Sequence, residues 1–178
     1  MKAFVTSIGE KTTKICCEQL EKYGFNVILL DKQEKWIDKY KRFIDMANED
    51  CLRIDADNIV NKHILEIGED CPKDFLVAQY GRYDLYRNEV WAGGPLIYTK
   101  KALDIIRERK DKINESRPET SSCRFPEINP YLHTSNLVVG LHGFFQDKEA
   151  MERAMENKKR RGQMKDYDFE LVKKLMEL

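Results

Sequence analysis

Asp55 and Asp57 stand two residues apart at the end of a short apolar run, Cys51-Leu52-Arg53-Ile54. Two carboxylates that close repel each other, so a counter-charge is required. A divalent cation fits: Mg²⁺ and Mn²⁺ are hard ions that take oxygen ligands and commonly bridge to phosphate oxygens. The same residues have a structural use. Asp57 could cap a following helix by accepting a backbone N–H, and Asp55 could sit in a solvated turn. Further groups able to do chemistry are Thr6, Ser7 and Asp31 early in the chain, and Glu119, Arg124, His133 and His142 late in it.

The elements that must position them follow from periodicity. Lys2 to Ser7 is a strand-like run, turned by Ile8-Gly9-Glu10. A helix is predicted from about Thr12, with Cys16, Leu20 and Tyr23 on one face and Gly24 at its end. Phe25 to Leu30 is a continuous apolar run, the pattern of a strand covered on both faces, and it ends in Asp31. Trp36, Tyr40, Phe43 and Ala47 recur at helical spacing. After the strand Cys51–Ile54, a helix is predicted from about Asn58, burying Val60, Ile64 and Ile67 and stopping at Gly68. His63 falls on that helix's apolar face and reads as structural. Strands alternating with helices imply a parallel sheet, whose strands end on one shared edge. That edge gathers Thr6, Ser7, Asp31, Asp55 and Asp57, and ligands bind at such an edge.

The middle changes character. Phe75–Gln79 reads as a strand, and the aromatic, charged stretch Tyr80–Trp91 as an antiparallel pair. Ala92-Gly93-Gly94-Pro95 would let the backbone approach another group closely or form a turn. A short strand, Leu96–Tyr98, precedes a helix capped by Thr99 with Ala102, Leu103, Ile106 and Ile113 inward. Arg117 to Thr134 reads as loop, interrupted by Pro118, Pro126 and Pro130. Asn136–Leu141 is a strand candidate leading to His142. Two helices are expected from near Asp147 and near Asp168. The run Lys158-Lys159-Arg160-Arg161 reads as a solvated helix end.

Composition bounds the function. Thirty-one basic residues balance thirty-one acidic ones, so no net charge draws nucleic acid. No run is long and apolar enough to span a bilayer, and the N-terminus is not a signal peptide. The five cysteines are odd in number and show no Cys-x-x-Cys spacing. They read as reduced thiols of a soluble, cytoplasmic protein, not a disulfide frame or a zinc site.

In this order of elements the chain resembles the GT-A-fold glycosyltransferases, the class that uses nucleotide-diphosphate sugars. The resemblance covers about residues 1–146 and rests on RIDADNIV, WAGGPLIYTKKAL and GLHGFF. It implies an α/β fold with a mainly parallel twisted sheet flanked by helices, a small antiparallel part and C-terminal helices. It implies one domain over 1–178, with a nucleotide-binding half at 1–68, a donor-sugar and acceptor half at 69–146, and helices at 147–178. The cofactor would be Mn²⁺ or Mg²⁺, held mainly by Asp57. Asp55 would bind the metal, directly or through water, or the donor ribose. His142 matches the late metal-ligand histidine of part of the family; otherwise it is a surface or core histidine. Thr6, Ser7 and Asp31 would hold the nucleotide, with Asp31 near the base. Arg53 would pair with a buried carboxylate or face the diphosphate. Gly93 and Gly94 would line the sugar and acceptor site. Glu119 would be the general base, although Glu119-Thr120 stands where many inverting members carry an acidic pair. A UDP-sugar is the favoured donor, a GDP-sugar possible, and the C-terminal helices could pair two chains. The alternatives are a haloacid-dehalogenase-type phosphatase, with Asp55 as nucleophile and Asp57 as acid/base, although Asp70 and Asp74, which have the spacing of its later acidic motif, come too soon in the chain; a sugar nucleotidyltransferase; and a non-catalytic binding module.

Overall fold

The computed structural model describes residues 1–85 and 89–143. The helices expected from Asp147 onward, and with them the basic run at 158–161 and any pairing of chains they mediate, lie outside the described residues.

Five elements build the first half: β1 (Lys2–Thr6), α1 (Thr13–Lys22), β2 (Asn26–Leu30), α2 (Trp36–Met46) and β3 (Cys51–Asp55). The rest is β4 (Asn58–Val60), β5 (Val77–Asp84), β6 (Glu89–Tyr98), α3 (Lys100–Glu108), α4 (Pro118–Cys123) and β7 (Leu132–His142). The strands form one sheet in the order β2-β1-β3-β6-β5-β7-β4. β1 is parallel to β2 and β3, β7 is parallel to β5, and β6 runs antiparallel between β3 and β5. Hence β1, β2, β3, β5 and β7 all point one way, and their carboxyl ends share an edge. This is the expected mainly parallel α/β sheet with flanking helices and an antiparallel part.

Alternation along β1 explains why the sheet is covered on both faces. Phe4 joins a core made with Tyr40, Phe43, Leu103 and Ile106 from the helices α2 and α3. Ala3 and Val5 join the opposite core with Cys16 and Leu20 of α1. On the first face, Phe43 meets Phe4 edge-on at 5.2 Å and Tyr98 at 5.4 Å between ring centres. Each such pair adds roughly 0.5–1.5 kcal/mol beyond simple burial.

Four expectations need correction. No helix begins at Asn58. Asn58–Val60 is a strand, antiparallel to β7, and a short 3-10 turn follows over Lys62–Glu66. Val60 and Ile64 are both buried, which imitates helical spacing. The β-branched pair Ile59-Val60 nevertheless favours an extended chain once β7 offers it an edge. His63 accordingly lies on this turn, partly exposed, with Nδ1 2.7 Å from Glu66. β2 is covered only in part: Ile28 and Leu30 pack on the α2 face and Val27 on the α1 face, but Leu29 of this outer strand is 40 % exposed. Gly93-Gly94-Pro95 is not a turn between elements but part of β6. Opposite it the β5 register slips, from Gln79↔Leu96 to Gly81↔Ala92, and this bulge accommodates a proline that cannot donate to the ladder. Residues 118–123 form a helix where loop was expected, because Pro118 sits in its first turn, where a missing N–H costs nothing.

Candidate active site

Positions 51, 53 and 55 of β3 share the α2 face of the sheet, so Arg53 and Asp55 lie side by side. Arg53 is only 1 % exposed. Its Nη2 donates to Asp55 Oδ1 at 2.5 Å and to Thr6 Oγ1 at 3.1 Å, and its Nη1 meets Glu119 Oε1 at 2.5 Å. The Trp36 ring covers the guanidinium, 4.9 Å from its centre. Burial opposes this charge, but Asp55 and Glu119 outweigh it and raise the Arg53 pKa. Thr6 Oγ1 also donates to Asp55 Oδ1 at 2.7 Å. Of the two uses expected for Arg53, pairing with carboxylates is the one observed. Arg53, Asp55, Gly93, Glu119 and Arg124 line a cleft of about 380 Å³. Glu119 reaches it because Ser122 of the same helix is tied to α2, with Tyr40 Oη 2.6 Å from Ser122 Oγ.

Asp57 faces a different neighbourhood. The turn after β3 carries it toward the end of β7, where its Oδ2 lies 2.9 Å from His142 Nε2. The other ring nitrogen of His142 is 3.3 Å from Asp84 Oδ2, at the end of β5. Asn58 Nδ2 donates to Asp57 Oδ1 at 2.8 Å, and Arg82 Nη1 donates to Asn58 Oδ1 at 3.1 Å. Burial works to raise the Asp57 pKa, but His142 and then Arg82 bring it below the usual carboxylate range. Burial works against charge on His142, but Asp57 and Asp84 overcome it and raise the imidazole pKa. Register fixes the arrangement: Asn58 pairs with His142, and Asp84 pairs with His142 from the other side. An imidazole whose second nitrogen faces a carboxylate is a common setting of a metal-ligating histidine, so Asp57 Oδ2 and His142 Nε2 are two donors of the types a divalent ion takes.

The remaining candidates are spread along the same edge. Ser7 is buried within its own loop, its Oγ donating to Glu10 at 2.7 Å, while its carbonyl accepts from the buried Lys39 ammonium. Asp31 follows β2 and is exposed. Gly94 is buried against Arg82: a Cβ there would lie 3.0 Å from Arg82 Cδ. Asp70 accepts from Ser135 Oγ at 2.5 Å and lies 3.5 Å from His133. His133 is at the start of β7, at the opposite edge of the sheet. Sequence reasoning missed Asp84, Arg82 and Asn58. Only Asp84 had a legible sign, a carboxylate closing an alternating run.

No protein-family model matches this chain, and neither does any curated protein. Solved structures do match in fold. A glycosyltransferase involved in glycosylation of the major capsid of PBCV-1 aligns with TM-score 0.60 at 14 % identity, covering 87 % of this chain and 98 % of that one. A 4-diphosphocytidyl-2C-methyl-D-erythritol synthase from Anaerococcus prevotii aligns with TM-score 0.57 at 9 % identity, covering 89 % and 98 %. A hypothetical transferase from Thermus thermophilus aligns with TM-score 0.52 at 10 % identity, covering 84 % and 98 %. At these identities the likeness is one of architecture: the chain has the Rossmann-like, GT-A-like fold. Among the described residues, no helix is long and apolar enough to cross a membrane.

Proposed function

We propose that this chain is a metal-dependent glycosyltransferase, moving a sugar from a nucleotide-diphosphate donor, a UDP-sugar by preference, to an acceptor hydroxyl. One observation carries the reading. Asp57 Oδ2 and His142 Nε2 converge to 2.9 Å at the carboxyl edge of the sheet, with Asp84 behind the imidazole. Asp57 and His142 would hold Mn²⁺ or Mg²⁺. When bound, such an ion offsets the negative charge that grows on a nucleoside diphosphate as it leaves.

The chain's own groups divide the rest of the work. Asp84 Oδ2, 3.3 Å from His142 Nδ1, favours a proton on that side of the ring, which would leave the Nε2 lone pair for the ion. Asp55, oriented by Arg53 and Thr6, meets the donor ribose or a metal-bound water. Asp31, exposed beyond β2, meets the base. Gly93, without a side chain, leaves room in the cleft for the sugar. Glu119 lines that cleft and takes the proton of the acceptor hydroxyl.

A second reading, sugar nucleotidyl transfer, is favoured by the 4-diphosphocytidyl-2C-methyl-D-erythritol synthase that aligns with TM-score 0.57. The loop after β1 weighs against it. That loop is folded on its own Glu10, which accepts from Ser7 Oγ and from Ile8 N at 2.8 Å, instead of presenting free amides to a triphosphate. Calorimetry with UDP and GDP, with and without Mn²⁺, tests the main reading; the expected result is nucleotide binding that requires the metal. Absence of metal-dependent binding to any nucleoside diphosphate would overturn it. Release of pyrophosphate from a nucleoside triphosphate and a sugar phosphate would shift the assignment to the second reading.

A further inference from the structure

The opposite edge of the sheet carries its own cluster of donors. Asp70, Cys71 and His133 offer a carboxylate oxygen, a thiol sulfur and an imidazole nitrogen, all within 4.8 Å of one another. Asp70 Oδ2 is 3.5 Å from His133 Nε2, and Asp70 Oδ1 is 3.9 Å from Cys71 Sγ. Three ligands of one tetrahedral zinc ion, at bond lengths of ~2.0 Å to oxygen or nitrogen and ~2.3 Å to sulfur, stand ~3.3–3.6 Å apart. With no pair of these atoms more than 4.8 Å apart, the set closes onto an ion by side-chain movements of at most about 1.5 Å.

We propose that Asp70, Cys71 and His133 form a second cation site, selective for zinc or another borderline divalent ion and distinct from the Asp57–His142 pair. Ligand type supports this choice, because thiolate and imidazole together suit zinc where carboxylate alone suits magnesium. So does the support around the ligands. Ser135 Oγ donates to Asp70 at 2.5 Å and orients the carboxylate. Tyr80 Oη accepts from Gly68 N at 2.7 Å, which leaves its proton to face Cys71 Sγ at 3.2 Å. Partners of this kind are what fix ligands in built metal sites. On binding, Cys71 gives its proton to solvent and ligates as thiolate. The fourth position opens into a cleft of about 460 Å³ lined by Glu66, Glu69 and His133, where water completes the tetrahedron.

The site is independent of the proposed transferase reaction. His133 and His142 lie at opposite ends of β7, on the order of 30 Å apart at the rise of a strand. Spacing along the chain could not reveal it, since its single cysteine and its histidine come from segments far apart in sequence. Zinc there would clip the segment before β5 to the start of β7.

Cobalt titration of the full chain under reducing conditions is the test, because tetrahedral Co²⁺ reports its ligands by colour. The expected result is a thiolate-to-cobalt charge-transfer band that saturates with one equivalent of the bound metal. That band is lost in Cys71→Ser. Affinity falls at least about 10-fold in His133→Ala, and Asp57→Asn leaves band and affinity unchanged. His133→Ala removes a partly exposed ring and keeps the fold testable by circular dichroism. Absence of the band in the wild-type chain, its survival in Cys71→Ser, its loss in Asp57→Asn, or unchanged affinity in His133→Ala would each overturn the proposal.

Discussion

Asp55 and Asp57 are two residues apart and belong to different neighbourhoods. Asp55 ends β3 on the α2 face, where Arg53, Thr6 and Glu119 share a dense set of hydrogen bonds. Asp57 lies beyond the turn, where its nearest charged partner is an imidazole backed by a second carboxylate. In the first group a permanent cation is supplied by the chain itself. In the second, an imidazole that can give up its proton stands between two acids, which is the arrangement that can exchange a proton for a metal ion. An acidic pair in a sequence therefore need not share one environment: Asp55 is tied to a fixed cation of the chain, and Asp57 to an imidazole.

Four substitutions can break or sharpen this contrast. The largest effect is expected from Arg53→Met, which strands Asp55 and Glu119 without their cation. Breaking a buried pair costs about 3–5 kcal/mol, and the lower figure, about 3 kcal/mol, applies here because both carboxylates are partly exposed. Denaturant unfolding measures it, while Mn²⁺ affinity should stay within about 3-fold. A large loss of metal affinity would merge the two neighbourhoods into one. Next is Asp57→Ala, expected to reduce donor turnover and metal-dependent nucleotide binding by at least about 100-fold, or ~2.7 kcal/mol. Near-normal turnover would remove this residue from the mechanism. Asp84→Asn should weaken Mn²⁺ binding by about 10–100-fold, the range for partners that orient a ligand, as read by calorimetry. The smallest effect is expected from Gly140→Ala. A Cβ there would sit 2.6 Å from the Ile59 carbonyl, in the β4–β7 ladder that also sets Asn58 against His142. A loss of about 1–2 kcal/mol in thermal unfolding, with weaker Mn²⁺ binding, is expected; an unchanged melt would show that β4 yields freely.

Much of the first half was legible in the sequence. Apolar runs of strand length, the helical spacing of Tyr40 and Phe43, and Gly24 with a positive φ of 82° after α1 were local signals, and local signals suffice for local elements. The gathering of Thr6, Asp55 and Asp57 on one edge followed from β-α-β order alone. What failed was decided by distant partners. Whether Ile59-Val60 is helix or strand depends on β7, which comes some eighty residues later in the chain. Asp84 gained its place only when β5 and β7 aligned, and β2 is only partly covered because, among the described residues, it is the outer strand of the sheet. The Gly-Gly-Pro stretch left close approach and a turn both open, because a bulge and a turn use the same residues; only the register of the opposing strand separates them.

Trp36 and Lys39 are one helical turn apart on α2. The indole lies over the guanidinium at the tip of β3, and the ammonium grips the carbonyl of the segment that follows β1. These two anchor points sit beneath neighbouring strand ends, so a small rotation of that single helix is felt at both together. The ends of β1 and β3 thus share one support, and neither can be retuned without carrying the other along.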